Sequence, residues 1–199
     1  MHKLISIIGP SGIGKTTLAA VLAHDQSFIT ALEQHAERPF QVLFKQDSHY
    51  ALANQLDYFL LRAEQEKNLR ASSKIGLMDG GLDLDFHGFT RLFLHRNLIS
   101  DAEFDLCRRL YNFIRTSLPP PELFISLHAN PETVAARLSQ RKRINIASAD
   151  DTLIFNSFVN KWIESLPSDQ VLKIDVTNEL MTYVHSIELI SERIRIWSQ

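Results

Sequence analysis

Apolar and polar positions along the 199-residue chain fall into two alternating kinds of segment. Short, nearly unbroken apolar runs read as strands buried on both faces: Lys3-Leu4-Ile5-Ser6-Ile7-Ile8, Ile75-Gly76-Leu77-Met78-Asp79, Leu123-Phe124-Ile125-Ser126-Leu127 and Val171-Leu172-Lys173-Ile174-Asp175. Phe28-Ile29-Thr30-Ala31-Leu32 is a further strand candidate. Helical periodicity runs from Thr17 to Ala23 and over about 48–70, 86–97, 101–117, 131–140, 151–165 and 179–197. Asp101, Glu103 and Asp105 make the acidic first turn that favours a helix dipole, and Asn130-Pro131 pairs an N-cap with a proline at the first helical position. Pro119-Pro120-Pro121 is the strongest breaker, yet a strand follows at once, and no repeat or linker divides the chain. Strands alternating with helices predict one α/β domain over 1–199, a sandwich of five parallel strands with helices on both faces.

The first strand runs into Gly9-Pro10-Ser11-Gly12-Ile13-Gly14-Lys15-Thr16, which fits the phosphate-loop pattern G-x-x-x-x-G-K-[ST]. Strand, glycine loop and helix gather backbone N–H groups and a helix N-terminus around one anionic pocket, with Thr17 closing the cradle. Lys15 is placed to reach the β- and γ-phosphates of a nucleoside triphosphate, and the Thr16 hydroxyl to ligate Mg²⁺. The sandwich is therefore expected to be of the P-loop NTPase type.

Composition narrows the partners. A hydrophobic content of 45% suits one well-packed core, and a net charge of −2 argues against a duplex nucleic-acid footprint. No apolar run approaches the ~20 residues of a membrane span. The single cysteine, Cys107, rules out an internal disulfide and reads as a small buried hydrophobe, which fits a reducing, cytoplasmic setting. The eight histidines show no metal-binding spacing, so no metal beyond Mg²⁺ is expected.

Further residues carry candidate chemistry. Asp79 ends an apolar strand, either as a carboxylate reaching Mg²⁺ beside the loop or as a cap of the following turn. Arg137, Arg141, Lys142 and Arg143 form a basic cluster, either a lid closing over a triphosphate or a solvated helix end. Gln55 and Arg62 border the apolar stripe of Leu52, Leu56, Phe59 and Ala63. They suit the polar edge of a base, but periodicity alone favours an exposed glutamine and a surface Arg62–Glu66 pair. Glu33 follows a strand and could take a proton in the crevice at the sheet's carboxyl edge, or be an ordinary surface glutamate.

Together and in this order, these segments resemble the deoxyribonucleoside kinase family from Gly9 to about Asp175. The resemblance implies that Glu33, six residues before Pro39, deprotonates the nucleoside 5′-hydroxyl. It implies that Tyr50-Ala51, Gln55 and Arg62 form the base-reading segment, with Asp85 as partner of Arg62 and Phe89 stacking on the base. The motif D/E-R-S-x-x-x-D begins at Asp79, and the lid R-x-x-x-R-G-R becomes Arg137, Arg141, Lys142 and Arg143 within about 137–148. Three departures stand out. Gly80 and Gly81 replace the family's Arg and Ser, Phe44 replaces its sugar-contacting Tyr, and Ile146 replaces its lid Glu. If the sugar hydroxyl is nonetheless bound, Asp83 is the substitute on the same turn. The resemblance implies an ATP- and Mg²⁺-dependent kinase of a small nucleoside acceptor, forming a homodimer. A nucleotide-binding relative without turnover and a nucleoside monophosphate kinase are the alternatives.

Overall fold

A computed structural model describes residues 3–31, 38–139, 149–180 and 182–197. Strand β1 (Leu4–Ile8) leads through the glycine loop into α1 (Lys15–Leu22), and β2 (Phe28–Ala31) follows. Next come α2 (Pro39–Gln46), a 3₁₀ turn at Ser48–Tyr50, and α3 (Ala51–Ala71). After β3 (Ile75–Asp79) the chain makes one turn, α4 (Leu82–Leu84), a π-helix over Asp85–Thr90, and α5 (Arg91–His95). Then come α6 (Asp101–Ser117), β4 (Leu123–His128), α7 (Pro131–Ser139), α8 (Ala149–Glu164), β5 (Val171–Asp175) and α9 (Val184–Trp197).

The five described strands form one sheet in the order β2-β3-β1-β4-β5, parallel at every pairing. Neighbouring residues of one strand feed opposite faces. Ile7 and Ile125 join the cluster with Leu18, Ala19 and Ile190 under α1 and α9, whereas Ile8 and Phe124 join Leu84, Phe155, Val159 and Trp162 under α8. Helices therefore cover both faces, as an all-parallel sheet requires. A third cluster, Phe59, Leu82, Phe86, Cys107 and Ile114, ties α3 and α6 to the segment after β3. Cys107 is buried there, with its thiol pushed up to about 11 mainly by desolvation. Register sets Ile7 of β1 beside Asp79 of β3, so the phosphate loop and the Asp79 carboxylate leave the sheet side by side.

Several expectations are corrected. Periodicity starts the last helix at Glu179, but α9 begins at Val184, because the Glu179 carboxylate accepts the N–H of Ser186 (2.8 Å) and serves its first turn from outside. The helix expected over 86–97 opens at Leu82 and widens into the π-helix, where Gln55 and Thr90 both donate to the Asp85 carbonyl (3.2 and 3.0 Å). The short α2, entered at Pro39 and held to α3 by the Arg38–Asp57 ion pair, has no counterpart in the periodicity reading. The surface reading of α3 also fails. Gln55, Arg62 and Glu66 are all buried, and Glu66 pairs with Arg115 of α6 (2.7 Å) rather than with Arg62.

Candidate active site

The phosphate loop ends at Gly14, whose φ of 107° is a conformation that residues with a Cβ rarely adopt. Gly14 has no side chain to occupy the first N–H groups of α1, which leaves them to an anion. Lys15 lies back over the loop, its Nζ donating to the carbonyls of Gly9 and Pro10 (3.0 Å each). The Thr16 hydroxyl donates to Asp79 Oδ2, while Asp79 Oδ1 is buried without a hydrogen-bond partner. A buried carboxylate oxygen of this kind is destabilising unless something binds it, and a hydroxyl beside it completes a hard oxygen donor set. The pair fits Mg²⁺. Among the described residues no group of three or more His, Cys, Asp or Glu offers a cage of its own, so such an ion would take further ligands from phosphate and water.

Arg137 of α7 reaches this loop. One arm of its guanidinium donates to the Ile13 carbonyl (2.7 Å), the other to the carbonyls of Val176 (3.0 Å) and Glu179 (3.3 Å). Here it stitches the loop to the segment after β5. That segment borders a cavity of about 500 Å³, lined by residues including Asp175, Asn178, Thr182 and His185 at the sheet's carboxyl edge. Glu33, Arg141, Lys142, Arg143 and Ile146 lie outside the described residues.

The other predicted residues meet beside the π-helix. Arg62 Nε and Asp85 Oδ2 are 3.2 Å apart, with side chains only 5% and 6% exposed. Arg62 also donates to Gln65 (3.1 Å), and the Gln55 amide nitrogen to the Asp85 carbonyl (3.2 Å). Phe89, one turn further, packs on Phe155 of α8 with ring centroids 4.7 Å apart. A π-helix brings Asp85 and Phe89 out of ordinary helical register, a device often found at functional sites. Gly80 sits against this group. Its φ is 80°, and a Cβ there would lie 3.6 Å from Arg62 Nη2, while its carbonyl accepts from the Ser6 hydroxyl. The backbone at the first departure from the family motif is thus one in which an arginine would be strained. Phe44 stands in a different cluster, its ring 5.1 Å from Phe93 and packed with Ala51 and Ile99.

Asp83, the fallback sugar contact, is already engaged within the protein. Its carboxylate accepts from the Tyr111 hydroxyl (2.7 Å) and pairs with Arg115 (2.5 Å), which also holds Glu66. Burial raises the Glu66 carboxyl above its usual range despite Arg115, and burial with the Asp83 charge raises the Tyr111 phenol. Sequence reasoning misses this network: it reads Glu66 only as a surface partner of Arg62 and gives Arg115 no role. His87, in the same π-helix, stacks on Trp162 (4.8 Å) and is pushed down to about 4 by burial.

Comparison with known proteins decides the class. The family profile described as deoxynucleoside kinase matches residues 5–197. The chain belongs to the deoxynucleoside kinase family. It is 22% identical over 200 residues to the deoxyadenosine/deoxycytidine kinase of Bacillus subtilis, covering 97% of this chain and 92% of that one. To the deoxyguanosine kinase of the same organism it is 28% identical over 140 residues, 70% of this chain and 67% of the other. In fold it is similar to a deoxyadenosine kinase from M. mycoides solved with dCMP and dCDP, with a TM-score of 0.80 at 21% identity, covering 96% and 98% of the two chains. The same kinase with dATP bound gives 0.77. Membership makes the chain an ATP-dependent phosphotransferase acting on nucleosides. Nothing in these matches favours the non-catalytic relative or the monophosphate kinase. Among the described residues no helix is long and apolar enough to cross a membrane.

Proposed function

We propose that this kinase moves the γ-phosphoryl of ATP to the 5′-hydroxyl of a deoxynucleoside whose base carries an exocyclic amino group. The observation that carries the choice of base is the buried acceptor pair beside Phe89. Arg62 braces the Asp85 carboxylate, and the Gln55 amide, its nitrogen turned to the Asp85 carbonyl, is left to present its oxygen. Acceptors so placed suit the amino donor of adenine or cytosine, whereas thymine offers carbonyls on either side of one N–H. The relatives named for deoxyadenosine, deoxycytidine and deoxyguanosine all act on amino-bearing bases.

In this reading Glu33 takes the 5′-hydroxyl proton as the oxygen attacks the γ-phosphorus and the bond to the β–γ bridging oxygen breaks. Lys15 and the backbone N–H groups within Gly9–Thr17, Pro10 having none, hold the phosphates. Arg141 and Arg143 close over them within the lid of about 137–148, which starts at the α7 residue Arg137. Thr16 and Asp79 would hold Mg²⁺, which when bound would neutralise charge on the transferred phosphoryl. Phe44 and Ile146 leave the sugar 3′-hydroxyl with apolar neighbours, so 3′-deoxy analogues are accepted nearly as well as their parents. Two copies pair through α6, whose Leu106 (43% exposed) and Phe113 (70%) lie seven apart on one face. The buried, unreactive Cys107 suits the cytoplasm.

The test is transfer itself. Purified protein with γ-labelled ATP and Mg²⁺ should release ADP only when a nucleoside is added, and the label should appear in a nucleoside 5′-monophosphate. Glu33→Gln should keep ATP binding and slow transfer by roughly 10²–10⁴-fold. ATP binding without transfer to any nucleoside would contradict the reading.

A further inference from the structure

At Gly14 the space for a side chain is already taken. An ideal Cβ there would lie 1.8 Å from the Tyr183 hydroxyl oxygen and 3.1 Å from its ring carbon Cζ. Tyr183 comes from the far end of the chain, directly before α9, and is fully buried in the cluster that includes Ile13 and Leu18. Its backbone has φ 51°, uncommon for a bulky residue and sustained only where the surroundings impose it. Its hydroxyl is buried without a hydrogen-bond partner, a feature that native structures rarely tolerate. Both unfavourable features belong to one side chain, and both deliver its tip to the last glycine of the phosphate loop.

The segment bearing Tyr183 is fixed on either side. Arg137 bridges Ile13 of the loop (2.7 Å) to Val176 (3.0 Å), and Glu179 binds the Ser186 N–H beyond Tyr183 (2.8 Å). The aromatic tip therefore acts against a rigid backing.

We infer that Tyr183 is a positioning residue for the donor phosphates: its ring and hydroxyl hold Gly14 in the left-handed conformation that turns the loop N–H groups toward the β-phosphate. This rests on the reading that ATP is the donor in this loop. Tyr183→Leu should raise the KM for ATP by about tenfold or more while the nucleoside KM stays within about twofold. Tyr183→Phe, which keeps the ring, should restore the ATP KM to within about threefold and raise the melting temperature by removing the unpaired hydroxyl. A folded Leu variant with an unchanged ATP KM overturns the inference, as does a Phe variant impaired as badly as Leu.

A second pair of variants keeps the test open should the Leu variant not fold. Gly14→Ala puts a methyl into the hydroxyl, and adding Tyr183→Phe should recover about threefold or more of the lost ATP affinity. Strictly additive effects overturn the direct contact. ATP affinity is read by calorimetry without nucleoside. Wild-type protein that binds ATP yet transfers nothing therefore fails the kinase reading and leaves the Tyr183 contrast readable.

Discussion

The phosphate loop and the proposed base site beside the π-helix are built in opposite ways. The loop is a contiguous stretch in which glycine backbone does most of the work and side chains from α7 and the segment before α9 brace it from outside. The proposed base site draws on single residues of distant elements, Arg62 and Gln55 on α3 with Asp85 and Phe89 on the π-helix, the first three joined by a buried ion pair and a hydrogen bond. A backbone cradle accepts any triphosphate of the right shape. A side-chain pocket discriminates, because each acceptor left unpaired by the wrong base carries a desolvation penalty. The difference predicts that the two halves fail separately.

The largest effect is expected at the ion pair. Asp85→Ala leaves the Arg62 guanidinium buried without its carboxylate, which should cost about 3–5 kcal/mol of stability and show as a lower denaturant midpoint. In the folded enzyme it should raise the nucleoside KM and leave ATP affinity unchanged, and loss of both together would break the separation. Lys15→Ala should do the reverse. Stability should hardly move, while ATP binding and transfer lose roughly 3–4 kcal/mol, a hundredfold or more in rate.

A smaller effect sharpens the pocket side. His87, facing Asp83, Tyr111, Arg91 and Arg115, has its pKa lowered from 6.5 to about 4 by burial. The unfolded chain takes up this proton below its ordinary pKa while the folded chain refuses it until about 4, so folding weakens as pH falls through that window. The loss is up to about 3 kcal/mol. Glu66, raised by burial, tilts the curve the other way, since its contribution falls as pH rises. The measurement is therefore the difference between wild type and His87→Phe, followed through Trp162 fluorescence. The variant should lose the acid-side decline, and an unchanged pH curve would remove His87 as its cause.

The same contrast explains what was legible in the sequence. The phosphate loop is a local motif on a buried strand, and the strands of the sheet are apolar runs, so loop, sheet and fold class could be read directly. Gln55 and Arg62 could not, because helical periodicity separates an apolar face from a polar one and has no sign for a polar side buried against a neighbouring ion pair. Only the resemblance placed them with Asp85. Asp83 reads in the sequence only as a fallback sugar contact, because it follows Asp79 on the same turn, and local pattern gives no sign that Arg115 and Tyr111 hold its carboxylate. Tyr183 carried no signal at all. Its role depends on a positive φ and on contact with a glycine far away in sequence, and neither is written in local pattern.

The central claim is that the Arg62-braced Asp85 and Gln55 select an amino-bearing base. It is tested most directly by kcat/KM of the wild-type enzyme for deoxyadenosine, deoxycytidine and thymidine with ATP and Mg²⁺. At least one of the two amino-bearing nucleosides should exceed thymidine by about 10²-fold or more, the scale of one unmet buried hydrogen bond plus a mismatched donor. Thymidine used as well as either of them would contradict the account.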